Sequence, residues 1–114
     1  MENKETTLNE TVKHLQAAQL VISGKWKLSI LIVIGGGIGR FRDLQRSLLP
    51  ITTRSLSQEL KAMESDGLVL RMVENAGPVS LVNYSLSDSE KALLPITDEL
   101  IQWSKYQALY QKPS

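Results

Sequence analysis

FRDLQRSLLPITTRSLSQELKAMESDG, residues 41–67, is the stretch whose reading decides the fold of this chain. Phe41, Leu44, Leu48 and Leu49 fall on one helical face, with Arg42, Asp43, Gln45 and Arg46 on the other. That pattern predicts a short amphipathic helix ending near Pro50. Past the proline, Thr52 can cap a second helix whose apolar positions Leu56, Leu60 and Met63 recur at i, i+4 and i+7. Gly67 stands where that helix would end. The other faces of the second helix carry Thr53, Arg54, Ser55, Ser57, Gln58 and Lys61. Two short helices across a tight turn, the second with a polar and basic outer face, predict a helix-turn-helix.

Upstream, residues 25–34 are almost wholly apolar after Lys27, which fits a buried helix or a buried strand, since periodicity does not separate the two. Gly35, Gly36, Gly37 and Gly39 follow. As a dinucleotide-binding loop they fail, because that pattern needs glycine at Arg40 and the rest of the chain offers no second alternating βα unit. The alternative is that they end a buried helix and permit a sharp turn. Before the Ser23-Gly24 break, Val12, Leu15 and Ile22 give a first helix over residues 9–22, with Asn9 as its cap.

Downstream, residues 68–73 and 81–86 read as strands around the turn composition Asn75-Ala76-Gly77-Pro78, so a β-hairpin, the wing, follows the second helix directly. Ser87 and Glu90 form a capping box that opens a last helix over residues 88–111, and Pro95 should kink it or split it in two. Ile96, Leu100, Trp103 and Tyr110 lie along one stripe of that helix, with Tyr106 beside them. The stripe can pack on its own core or on a second subunit, and the aromatic content favours the subunit. The expected fold is mainly α with a small β-hairpin: a single winged helix-turn-helix domain over residues 1–114 with a C-terminal dimerisation helix.

Composition narrows the function classes. With 42% apolar and 22% charged residues the chain is neither disordered nor fibrous, and its length allows one ordinary domain. It has no cysteine and one histidine, His14, which leaves no disulfide, thiolate site or ordinary zinc ligand set; no cofactor, metal site or catalytic site is expected. Residues 1–10 lack the layout of a signal peptide, and the longest uncharged run, residues 28–39, is too short and too glycine-rich to span a membrane, so a soluble, cytoplasmic protein is expected. The net charge is only +1, yet between Lys25 and Arg71 eight basic residues face four acidic ones, while the remaining segments hold five basic and eight acidic. A basic middle between acidic ends suits one face made for phosphate.

These motifs, taken in order, resemble the HxlR-type winged helix regulators of bacteria, relatives of the MarR group. The resemblance runs from about Val12 to Trp103. It rests on Gly24-Lys25-Trp26-Lys27, Arg40-Phe41-Arg42-Asp43-Leu44 with Leu49-Pro50-Ile51, Leu56-Ser57-Gln58-Glu59-Leu60, Glu64-Ser65-Asp66-Gly67-Leu68-Val69 and Tyr84-Ser85-Leu86. It implies a homodimeric, sequence-specific transcriptional regulator acting on a palindromic operator. Several family members carry a thiol sensor in the first helix, where this chain has Lys13; Leu81 stands where a basic residue often precedes Val-x-Tyr; and glycine is often found near Glu90.

On this reading the helix over residues 52–66 enters the major groove of double-stranded DNA. Arg54 is placed for a bidentate guanine contact, and Thr53, Ser57 and Gln58, with Thr52 and Ser55, for bases or phosphates. Lys61, Lys25, Arg40 and Arg42 are the expected phosphate contacts. The dimer interface is assigned to Ile96, Leu100, Trp103, Tyr106 and Tyr110. Two alternatives stay open: a winged helix adapter that binds protein and never DNA, and a regulator with a small-molecule effector pocket between the last helix and the core.

Overall fold

The computed structural model describes residues 4–110, with all side chains except those of Thr6 and Ala76. Its elements, in order, are α1 (Lys4–Ile22), α2 (Lys27–Gly35), α3 (Phe41–Ser47), α4 (Thr53–Ser65), β1 (Val69–Ala76), β2 (Val79–Leu86), α5 (Asp88–Lys91) and α6 (Leu94–Tyr110). The two strands form an antiparallel hairpin in which Val69 pairs with Leu86 and Ala76 with Val79.

The apolar run after Lys27 is a helix. Ile30, Leu31 and Ile34 are buried at i, i+1 and i+4, a helical stripe no strand would produce. The glycines end it: the Ile38 N–H reaches back to the Val33 carbonyl and the Gly37 N–H to that of Ile34, the paired bonds of a Schellman cap, with Gly37 at φ +102°. α4 ends in the same way, Leu68 bonding back to Met63 and Gly67 to Glu64, with Gly67 at φ +76°. A side chain at either glycine would strain a backbone conformation that L-residues rarely adopt.

α2 lies at the centre and packs against α3, β2 and α6, while α4 packs against β1. Leu44 and Leu48 of the α3 segment, Ile51 of the turn, and Leu56, Leu60 and Met63 of α4 meet Ile30, Leu31 and Ile34 in one core closed by Leu68, Val69 and Leu86. Burying each of the larger of these side chains contributes about 1.5–3 kcal/mol. The core therefore fixes α3 against α4 and holds the base of the hairpin.

Five local expectations need correction or refinement. Asn9 lies inside α1, which starts at Lys4, so it caps nothing. Leu49, expected on the apolar face, is 67% exposed, because α3 ends at Ser47 and the chain leaves the helical path before reaching it. The strands run on to Ala76 and restart at Val79, leaving a turn of only Gly77 and Pro78, because Asn75 pairs with Ser80 and their side chains bond at 3.1 Å. The Ser87–Glu90 capping box does not form: the Ser87 hydroxyl donates instead to the Leu68 carbonyl at 3.3 Å, fastening the start of α5 to the end of the helix-turn-helix. The last helical segment is split at Ala92 and Leu93, and Pro95 sits in the first turn of α6, where its missing N–H costs least. The expected end at Gln111 lies outside the described residues.

Freed from the capping box, Glu90 is buried, 7% exposed, and its Oε2 finds no hydrogen-bond partner among the described residues. Desolvation raises its carboxyl pKa above the ordinary value. The folded chain thus holds this proton more tightly than the unfolded one. The stability it contributes is present in acid and is lost as pH rises from the unfolded carboxylate range through the folded pKa. Glu90→Gln is expected to raise the melting temperature at neutral pH and change it little below about pH 4, where both states carry the proton. Thermal melts across that range check the sign.

Candidate nucleic-acid interface

The geometry of α4 begins with its cap. Thr52 is extended, at φ −81° and ψ 156°, and its Oγ1 accepts from the Ser55 N–H at 3.0 Å, satisfying a donor that the first turn would otherwise leave bare. Across the turn, Nε2 of Gln45 on α3 donates to Oγ1 of Thr53 at 3.0 Å. That clasp ties the first residue of α4 to α3 and orients the Thr53 hydroxyl. Gln45 was legible only as one polar residue among four, since no local pattern says which partner it reaches in space.

Leu56, Leu60 and Met63 take the inner face, so helical geometry turns Arg54, Gln58 and Lys61, at i, i+4 and i+7, outward as one ridge. All three are exposed, and Ser57 lies beside them. The ion pairs among the described residues are Arg40–Glu74, Arg46–Asp43 and Lys91–Asp88, so Arg54 and Lys61 carry unpaired charge.

The remaining predicted contacts divide. Arg42 is exposed on the first turn of α3 and is unpaired among the described residues. Lys25 stands in the turn between α1 and α2, its Nζ 5.0 Å over the Trp26 ring, a cation–π contact that leaves most of its hydrogen-bonding capacity free. Arg40 is engaged within the chain. Its Nη1 donates to the Val82 carbonyl at 3.2 Å and its Nη2 lies 4.0 Å from Glu74, so it props the hairpin against the start of α3. Leu81 faces Glu74 in the hairpin register.

The second set of candidate residues lies on α6. Trp103 is 59% exposed, and Ile96, Leu100, Tyr106 and Tyr110 are exposed as well; the Tyr106 and Tyr110 rings lie 4.7 Å apart. α1, which sequence reasoning left without a partner, exposes Leu8, Val12 and Leu15 at i, i+4 and i+7. A cleft of about 270 Å³ opens between the end of α2, β2 and the start of α6, lined by Ile34, Asn83, Ser85 and Leu94 among others. Among the described residues no three His, Cys, Asp or Glu side chains gather as metal ligands, and no single helix is long and apolar enough to cross a membrane.

A family model described as HxlR-like helix-turn-helix matches residues 21–112. The HTH-type transcriptional regulator BH0655 of Halalkalibacterium halodurans is 42% identical over 84 residues, covering 73% of this chain and 74% of its own. The crystal structure of the HTH-type regulator YtcD, a Bacillus subtilis protein, superposes with a TM-score of 0.73 at 36% identity over 82% of this chain and 95% of that one. The redox regulator HypR in its reduced form gives a TM-score of 0.75 at 32% identity, over 82% of this chain and 92% of its own.

Proposed function

The chain belongs to the HxlR-like helix-turn-helix family of DNA-binding transcriptional regulators, a family without enzymatic activity, and on that premise we propose that it acts in the cytoplasm as a homodimer on a palindromic operator. One observation carries this reading: the capped, clasped α4 presents Arg54, Gln58 and Lys61 on an exposed ridge free of ion pairs among the described residues. Each protomer lays that ridge in a major groove. Arg54 reads guanine with its paired guanidinium donors, and Thr53, Ser57 and Gln58 bond neighbouring bases or phosphates. Lys61, Arg42 and Lys25 neutralise phosphates and set position without reading sequence. Thr52 and Ser55 hold the helix start, and Arg40 serves the wing before it serves DNA.

Surface the chain leaves uncovered supports dimerisation. Leu8, Val12 and Leu15 on α1, and Ile96, Leu100 and Trp103 on α6, repeat at spacings of four then three, with Tyr110 seven residues further on, the seam of packed helices. The radius of gyration is 17.8 Å, against roughly 13 Å for a compact chain of this length; α1 and the part of α6 beyond Thr97 are exposed almost throughout. A second copy supplies the missing face, and the two-fold axis of such a pair gives the operator its symmetry.

Selecting genomic fragments with the purified protein, then titrating the enriched duplex against a scrambled one at several salt concentrations, tests this. A preference for the enriched duplex and an affinity that falls with salt are expected. An adapter that binds only protein would show neither. The sequence contains no cysteine, so diamide is expected to leave operator affinity unchanged, although the similar HypR is a redox regulator. The same titration repeated after oxidation checks this, and a reversible loss would contradict it.

A further inference from the structure

Between the outer side of α4 and the hairpin runs a groove of about 350 Å³ lined by Ser57, Lys61, Glu64, Arg71 and Tyr84. Its residues come from three elements, and the periodicities of helix and strand bring them together. Ser57, Lys61 and Glu64 recur at i, i+4 and i+7, the side of α4 next to its outer ridge. Val69 is buried against α4, so Arg71, two residues on, projects from the same face of β1, and its cross-strand partner is Tyr84. Leu81 differs from Tyr84 by an odd number of residues and projects from the opposite face of the hairpin. The groove therefore has its own basic residue, on the other strand and on the face that looks at α4. Neither Lys61 nor Arg71 is ion-paired among the described residues, and Glu64 is the one acid among the five, leaving a net single positive charge.

We propose that this groove seats one DNA backbone phosphate, held between the Lys61 ammonium and the Arg71 guanidinium, with the Tyr84 hydroxyl as a third donor. The guanidinium fork matches two phosphate oxygens, and an ammonium adds charge without fixed geometry. Because the two cations stand on different elements, a single phosphate bridges the reading helix to the wing and sets the tilt of α4 in its groove. Glu64 keeps the unliganded groove from gathering anions at large. This assignment rests on the DNA-binding reading above.

The test uses the full chain on an enriched duplex and on a scrambled one at two salt concentrations. Arg71→Ala is expected to weaken both about tenfold per half-site, the share of one charge-assisted bond, and, with two protomers bound, to lower the salt slope by about 1.8, roughly 0.9 for each lost contact. Arg71→Lys should keep the slope and recover part of the affinity. Arg71 is exposed, so the substitutions spare the core, and melting curves verify this. Duplexes carrying one neutral methylphosphonate at a time give a second readout: one position in each half-site should weaken the wild type but not Arg71→Ala. An unchanged slope in Arg71→Ala, or the absence of any such position, overturns the proposal while leaving DNA binding intact. A wild type that binds neither duplex overturns the DNA-binding reading itself.

Discussion

Replacing Trp103 by glutamate is expected to convert a dimer that is stable at micromolar concentration into a monomer. The indole is 59% exposed in the single chain and lies mid-way along the α6 stripe, between Leu100 and Tyr106. Central aromatic anchors of interfaces cost about 2–4 kcal/mol on truncation, and a carboxylate put in their place adds the cost of an unpaired buried charge. In the proposed two-fold dimer the interface is isologous, so every dimer carries the change twice. A loss of about 4 kcal/mol or more raises the dimer dissociation constant roughly a thousandfold. Sedimentation velocity over a concentration series measures it. Operator affinity should fall in parallel, because a monomer engages one half-site only. A glutamate variant that stays dimeric would move the interface off α6, and a wild-type monomer at micromolar concentration would remove the dimer altogether.

Arg54→Ala should cost about 1–3 kcal/mol per half-site on the enriched operator and little on scrambled DNA, because a base contact acts only where the right base is present. Over two half-sites that is a loss of roughly 30-fold to well over a thousandfold, with specificity relaxed at one position of each half. The contrast with Arg71 is the point of the measurement. Both are exposed arginines with no ion-pair partner among the described residues, but Arg54 lies on the outer ridge of α4 and Arg71 in the groove behind it, so one should change sequence preference and the other salt dependence. Competition titrations with single-base operator variants check the first. If Arg54→Ala weakened both duplexes equally, Arg54 would be a phosphate contact, and reading would pass to Thr53, Ser57 and Gln58.

The extent to which the site was legible depends on the range of the interactions involved. The cap at Thr52, the buried trio Leu56, Leu60 and Met63, and the stop at Gly67 are all settled within one helix, and each stands where the residues placed it. The capping box at Ser87 and Glu90 satisfied the same kind of rule and failed, because a carbonyl 19 residues away, on Leu68, took the Ser87 hydroxyl instead. Arg40 likewise has partners that no local rule announces. Nothing near it in sequence announces Val82 or Glu74, and only the folding of the hairpin onto α3 brings them within reach.

The sequence by itself determined the helix-turn-helix, the hairpin after it, the outward ridge of α4 and the freedom from thiol chemistry, because periodicity, caps, turn residues and composition act over a few residues or over none. Only the tertiary structure decided that residues 28–34 coil as a helix, since a fully buried segment is apolar on every side whichever way it winds. The tertiary structure alone also decided which polar side chains remain available. Gln45 is taken by Thr53 and Arg40 by the wing, while Arg54, Lys61 and Arg71 are left unpaired among the described residues. A side chain's charge is written in its residue type, but whether that charge is already satisfied depends on what the fold sets a few ångströms away.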